Sequence, residues 1–260
     1  MIRIKIECAA ITHVGLVRGN NEDNYYVNGK YKVNNNIATE GYKDTSRRDS
    51  YLYAVCDGMG GENLGEVASM IAVETLADYQ STDLQRTVKD YIKRANKYIC
   101  DEIIRNNGVR SGTTLALLHI FNDKAVSYNV GDSRVYLLRK GDLYLMSEDH
   151  TEAQQMVNMG LLDDEDAENH SSRNVLTQYL GIFPEEHIVE PYISQTIKIK
   201  KKDIFLLCSD GVTDMIDNDD IGEILTSKHT DTVDLAKQLA AAAQAHGGRD
   251  NATVVVVKVG

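Results

Sequence analysis

The chain has 260 residues, 42% of them apolar and only 2 of them proline, and a formal net charge of −11. That combination describes a globular chain of one large domain or two small ones rather than a disordered one. It makes nucleic acid and anionic membranes poor partners. The N-terminal MIRIKIECAAITHVG lacks the long apolar stretch of a signal peptide, and runs such as Thr253–Val257 are too short to span a bilayer. Cys8, Cys56, Cys100 and Cys208 form no CxxC pair, so a thiolate zinc site is not expected. Apolar or helical surroundings for three of them fit buried, reduced thiols and a cytoplasmic protein.

In chain order, residues 2–17 read as strands broken near Thr12-His13, followed by the polar turn Asn20–Asn24 and a strand at Tyr25–Val27. The polar stretch Asn28–Asp49, with three asparagines at Asn34–Asn36, reads as an extended hairpin or surface loop. Tyr51–Cys56 is an apolar run ending in Asp57-Gly58. Glu62–Gln80 is helical by the stripe Val67, Ala68, Ile71, Ala72 and Leu76. A second helix carries Leu84, Val88, Ile92, Ala95, Ile99 and Ile103 and stops at Asn106-Asn107-Gly108. Both stripes read as core packing. Thr113–Phe121 and Lys124–Val130 flank Asn122-Asp123, while Arg134–Arg139 and Leu143–Met146 flank Lys140-Gly141-Asp142, giving two hairpins. Thr151–Asn174 is polar, partly helical and long for a connection, which suits a lid or binding loop.

Strands return near Glu190–Ile199 and at Asp203–Cys208, and a short helix is expected over Asp219–Thr226. Val233, Ala236, Leu239, Ala240 and Ala243 mark a last helix, ended by Gly247-Gly248 and followed by the strand Thr253–Val259. Hairpin-linked strands do not suit a doubly wound parallel sheet. Two packed antiparallel sheets with helices outside, an α+β architecture, fit the order better.

The chemistry lies in the acids. Tyr51–Cys56 ends in Asp57-Gly58, Ile204–Ser209 ends in Asp210-Gly211, and Arg249-Asp250-Asn251 precedes the last strand. Carboxylates at the ends of buried strands are costly unless compensated. A cluster of them without Cys or His partners selects Mg²⁺ or Mn²⁺. Two such ions can clamp a phosphoryl group, and Arg18, ahead of Glu22-Asp23 in RGNNEDN, is a natural phosphate partner.

Other readings are weaker. DGMGG before a helix suggests a nucleotide fold, but Asn63 stands where the third glycine of a dinucleotide fingerprint belongs. DNDDIGE at Asp217–Glu223 echoes a calcium loop, yet Ile221 falls on a ligand position, and an acidic helix start is the better reading. The seven histidines form no HExxH pair, and Ser111 and Ser209 lack a nucleophile-elbow context.

These residues, taken together, resemble the metal-dependent serine/threonine protein phosphatases of the 2C type (the PPM family), in their compact bacterial form. RGNNEDN at 18–24, DGMGGENLGEVAS at 57–69, SGTT at 111–114, NVGDSR at 129–134, SEDHT at 147–151, RNVLTQYLG at 173–181, CSDGVTD at 208–214 and GGRDNATVVVV at 247–257 follow the family's order. The resemblance implies one αββα sandwich across residues 1–260, two packed antiparallel sheets flanked by helices, with a flap about 151–174. It implies that Asp57 bridges two Mn²⁺ or Mg²⁺ ions, with the Gly58 carbonyl on one and Asp210 and Asp250 on the other. Glu22 and Asp23 would order bound waters, Asn251 would support the Asp250 loop, and Arg18 would hold the substrate phosphate. Asp132 falls where bacterial members take a third ion.

The implied reaction is in-line hydrolysis of phosphoserine and phosphothreonine by a metal-bridging hydroxide, with no phosphoenzyme. The expected setting is a monomeric, free-standing catalytic domain opposing a serine/threonine kinase, with no nucleic acid or membrane partner. A non-catalytic relative that binds phosphoproteins would lack metal acids, whereas Asp57, Asp210 and Asp250 are all present. A phosphatase tuned to one anti-sigma partner is a further alternative, which the fuller motif set argues against. Two departures stand out: Met59 replaces a histidine that animal members carry, and Gln178 stands where arginine is common. The variant loop residues Glu62, Asn63 and Leu64 and the long Asn28–Asp49 stretch are further departures.

Overall fold

The computed structural model describes residues 5–33, 39–45, 47–60, 64–79, 84–227 and 230–260. The asparagine run Asn34–Asn36, the loop residues Glu62 and Asn63, the ends of the expected helix at Glu62 and Gln80, and His229 lie outside them. The chain begins with β1 (Ile6–His13), β2 (Asn24–Val27), β3 (Lys30–Tyr31), β4 (Thr39–Asp44), β5 (Ser50–Cys56) and β6 (Gly58–Gly60). Two helices follow, α1 (Leu64–Asp78) and α2 (Leu84–Arg105). Then come β7 (Ser111–Thr113), β8 (Leu115–Phe121), β9 (Lys124–Val130), β10 (Arg134–Arg139) and β11 (Asp142–Leu145). The short helices α3 (Glu152–Asn158) and α4 (Asp164–Glu168) precede β12 (Tyr192–Ile193), β13 (Ile197–Lys198) and β14 (Ile204–Cys208). The chain closes with α5 (Asp210–Thr213), α6 (Asn218–Thr226), α7 (Thr232–Ala245) and β15 (Ala252–Val259).

One sheet runs β11-β10-β14-β15-β1-β4; the other runs β12-β9-β8-β5-β2-β3, with β13 also on β9. Their ladders are antiparallel. Alternation along each strand sorts the side chains into layers. In β1 and β15, Cys8, Ala10, Val255 and Val257 enter the core between the sheets, with Tyr53, Val55 and Leu118 of the facing sheet. Their neighbours Ala9, Ile11, Val254 and Val256 face outward onto Leu235, Leu239 and Ala243 of α7 and Ile221 of α6. The other sheet's outer face, including Leu115, Leu117 and Tyr128, meets Ala72 and Leu76 of α1 and Ile92 and Ile99 of α2. The result is the expected four-layer αββα sandwich. Full burial of each Val, Leu or Ile side chain among these contributes about 1.5–3 kcal/mol.

Of the two readings of 28–49, an extended hairpin or a surface loop, the described residues favour the hairpin. Asn28-Gly29, both at positive φ, turn β2 into β3, and Thr39–Asp44 becomes an edge strand on β1. Its polar sequence suits an edge, and among its described side chains Tyr42 packs on the inner core. The run Thr113–Phe121 breaks at Thr114, because β7 pairs with β6 while β8 joins the main sheet. The strands near Glu190–Ile199 shrink to two short pairs on β9, because the Ser194 hydroxyl accepts from Ser127 N at 2.9 Å and interrupts the ladder. The acid–glycine step at Asp210-Gly211 opens α5, with Ser209 as its N-cap residue. The buried face of α1 is also rotated, running through Gly65, Ala68, Ser69, Ala72, Val73 and Leu76, with Val67 and Ile71 only half-buried.

Candidate functional site

Antiparallel pairing brings strand ends and strand starts to one end of the sandwich. Asn24 pairs with Cys56, so Asp23 and Asp57 step off the same ladder side by side. Cys208 pairs with Val254 and Arg134 with Cys208, which sets Asp210, Asp250 and Asp132 around the same rim. A cavity of about 400 Å³ there is lined by Arg18, Glu22, Asp57, Gly58, Asp132, Asp210, Asp250 and Asn251. Asp23, the ninth expected site residue, is fully buried beside it. A larger groove of about 700 Å³ adjoins the cavity, sharing Asp132, Asn174 and Asp210 and walled partly by residues of 151–174.

The backbone of Asp57 is clamped. Its N–H donates to Thr114 Oγ1 at 2.9 Å, and its carbonyl accepts from Thr114 N and Thr113 Oγ1, each at 2.9 Å. Thr114 Oγ1 in turn lies 2.7 Å from Ser133 Oγ, linking the clamp to the Asp132 loop. A Cβ on Gly58 would come within 2.3 Å of the Gly65 carbonyl oxygen and 2.5 Å of the Glu22 carbonyl oxygen, so only glycine fits. Gly211 is constrained the same way: a Cβ there would lie 1.9 Å from the Asn251 carbonyl oxygen. Close approach, rather than turn geometry, requires that residue.

Asn251 stitches the site together. Its Oδ1 accepts from Glu22 N at 2.7 Å, and its Nδ2 donates to the carbonyls of Val14 and Asn20, each at 2.8 Å. Both oxygens of Asp250 are engaged: Oδ1 accepts from Asn251 N at 2.8 Å and Oδ2 from Arg18 Nη2 at 2.6 Å. The expected phosphate ligand and an expected metal ligand thus pair with each other. Among the described residues, no three acid, histidine or cysteine side chains stand close enough to form a ready-made metal set.

The carboxylates nonetheless carry the signature of an uncompensated cluster. Burial, then repulsion from Asp23 and Asp210, holds the Asp57 carboxyl well above the carboxylate range. Burial, then Asp210, does the same to Asp132. Burial raises Asp210 to about 7 and Asp23 to about 6. Asp23 Oδ2 accepts from Ser209 Oγ at 2.8 Å, but Asp23 Oδ1 and Asp210 Oδ1 are buried with no hydrogen-bond partner. Orphaned buried carboxylate oxygens are costly and call for a cation or a donor. An all-oxygen donor set with a carbonyl at Gly58 suits Mg²⁺ or Mn²⁺.

The sequence had assigned no roles to several residues here. Thr114, Ser133 and the first-turn residue Glu66, which accepts from Asn20 Nδ2, shape the pocket, and Asn174, Leu176 and Met59 line it. The signal for Thr114 was a hydroxyl pair directly before an apolar strand, a setting in which hydroxyls take up backbone groups. Asn174 lies in the RNVLTQYLG motif at 173–181, which by itself gave that residue no role. The echo of a calcium loop at Asp217 resolves into an N-cap, with Asp217 Oδ1 accepting from Asp220 N at 2.8 Å.

A family model described as Protein phosphatase 2C matches residues 37–247. The chain is 34% identical over 219 residues to the serine/threonine phosphatase stp of Listeria monocytogenes serotype 4b, covering 80% of this chain and 84% of that one. It is 30% identical over 264 residues to the protein phosphatase PhpP of Streptococcus pneumoniae serotype 2, covering 98% of each. The crystal structure of the PstP serine/threonine phosphatase catalytic domain with two manganese ions superposes with a TM-score of 0.78 at 31% identity, covering 98% of this chain and 99% of that one. Likeness of sequence and of backbone over nearly the whole chain, met at the rim where the acids gather, has one reading: the chain belongs to the protein phosphatase 2C family.

Proposed function

We propose that this chain is a divalent-cation-dependent protein phosphatase that hydrolyses phosphoserine and phosphothreonine. The observation that carries the reading is the pocket itself. Among the described residues, five carboxylates, Glu22, Asp57, Asp132, Asp210 and Asp250, share it with one guanidinium, Arg18, and one Asp210 oxygen has no hydrogen-bond partner. Asp57, Asp210, Asp250 and the Gly58 carbonyl would hold two Mn²⁺ or Mg²⁺ ions, and Asp132 a third. When bound, such ions supply an activated water and stabilise charge on phosphoryl oxygens.

The chain's own residues do the rest. The Thr113–Thr114 clamp holds Asp57 in place, so its carboxylate needs little reorganisation. Asn251 fixes the 14–22 segment, which carries both Arg18 and Glu22. Arg18 presents a planar donor fork at the mouth, suited to two phosphoryl oxygens. Glu22 and Asp23 orient water from behind. Among the described residues no histidine lines this pocket and Met59 stands on its rim, so water would supply the leaving-group proton.

The finer setting belongs to the same reading: a cytoplasmic monomer, one domain across 1–260, acting against a serine/threonine kinase. Four free, buried cysteines suit a reducing compartment, and among the described residues no helix is long and apolar enough to cross a membrane. The segment 151–174 forms a wall of the adjoining groove, the position of a flap that meets the protein part of a substrate.

The test is hydrolysis of a phosphothreonine peptide with Mn²⁺, Mg²⁺ and excess chelator. Activity restored by Mn²⁺ and abolished by chelator is expected. Full turnover in chelator would overturn the metal assignment, and peptide binding without turnover would favour a phosphoprotein-binding role.

A further inference from the structure

The long 28–49 stretch is the part of the sequence that the proposed reaction does not use. The structure shows that it delivers a cation into the protein interior. Asn24, at the start of β2, grips the backbone of Lys32 on both sides: Oδ1 accepts from Lys32 N at 3.0 Å and Nδ2 donates to its carbonyl at 3.1 Å. The Lys32 side chain is 0% exposed, and its Nζ donates to the carbonyl of Asn21 at 2.7 Å. Asn21 is followed directly by Glu22 and Asp23. Lysine is almost never fully buried without a counter-charge, because desolvating an ammonium is expensive. Burial raises the carboxyls of Asp23 and Glu22, and the Lys32 charge acts against that rise at both.

We propose that Lys32 is a positioning residue, an internal counter-cation set behind the acidic pocket, which holds the Asn21–Asp23 segment and limits how tightly the pocket takes divalent cations. The inference rests on the metal-dependent reading above. A fixed positive charge behind the carboxylates lowers their repulsion when no ion is bound. It also opposes each arriving dication, so stability is exchanged for weaker, more reversible metal binding. The interior dielectric makes such a charge far more influential than one on the surface.

The experiment is calorimetric Mn²⁺ titration of the full chain, as wild type, Lys32→Gln and Lys32→Arg, with the fold checked by circular dichroism. Lys32→Gln removes the charge and retains an amide donor on a side chain one bond shorter, and it should bind Mn²⁺ about tenfold more tightly. Lys32→Arg keeps the charge and should remain near wild type. Equal or weaker affinity in Lys32→Gln would overturn the counter-cation role while leaving the metal reading intact. No Mn²⁺ binding by wild type would overturn both. If neither variant folds, the wild-type chain decides by nuclear magnetic resonance: the Lys32 ammonium signal should shift on saturation with Mg²⁺, and an unmoved signal would overturn the proposal.

Discussion

Asp57 should be the least replaceable acid of the site: its backbone is held by two threonines and its carboxylate faces Asp23 and Asp210. Asp57→Asn preserves the backbone clamp and the side-chain shape while removing the charge. It should lower turnover of a phosphothreonine peptide on the order of a hundredfold or more and leave the circular dichroism spectrum unchanged. Retained turnover would refute the assignment. Arg18 is exposed and paired with Asp250, an ion pair that contributes little to stability by itself. Arg18→Ala should therefore leave the unfolding midpoint almost unmoved while raising KM about tenfold through loss of a charge-assisted phosphate contact. Steady-state kinetics with a phosphopeptide separates the two effects.

At the scale of elements, the wall formed by 151–174 is tied at both ends. Thr151 bridges Leu176, and Glu152 N donates to the Val175 carbonyl at 2.9 Å. Asn174 Nδ2 donates to Asp214 Oδ2 at 2.7 Å, and Arg173 lies 3.2 Å from Asp214 Oδ1. Asp214 caps the C-terminus of α5, the helix that Asp210 opens. Asn174→Ala should loosen this wall, giving faster hydrogen exchange across 151–174 with little change in global stability. Exchange rates equal to wild type would show that the tie is dispensable. Gly58 belongs to the contact of β6 with α1: Gly58→Ala forces a methyl into the Gly65 and Glu22 carbonyls. It should destabilise the fold by about 1–3 kcal/mol, read from urea unfolding.

The whole molecule carries an electrostatic load. Asp210 binds its proton more tightly folded than unfolded, its pKa rising from 3.8 to about 7. Its contribution to stability is therefore fully present below the unfolded value and is lost as pH climbs through the folded one. Metal-free protein should melt at progressively lower temperature as pH rises from 4 to 7, and Asp210→Asn should flatten that slope. Equal slopes would exclude Asp210 as the source. Saturating Mn²⁺ at pH 7 should raise Tm by about 5–15 °C, since an ion at a hundred times its Kd or more adds about 3–4 kcal/mol.

Much of this was readable in the chain. Alternation along the strands and the stripe of α2 follow from local periodicity, as do the hairpins at Asn122 and Lys140, both at positive φ. The acid–glycine steps flagged the rim because a carboxylate at a strand end is conspicuous in one dimension. Tertiary structure alone decided the rest. It split Thr113–Phe121 at the residue that clamps Asp57, and it turned a polar stretch into an edge strand. It set Asn251 against Glu22 across the sandwich, paired Arg18 with Asp250, and buried Lys32 behind the acids. The physical reason is sequence separation. Residues 229 or 232 positions apart meet only once both sheets are paired, so no local pattern records which hydrogen bond each of them makes.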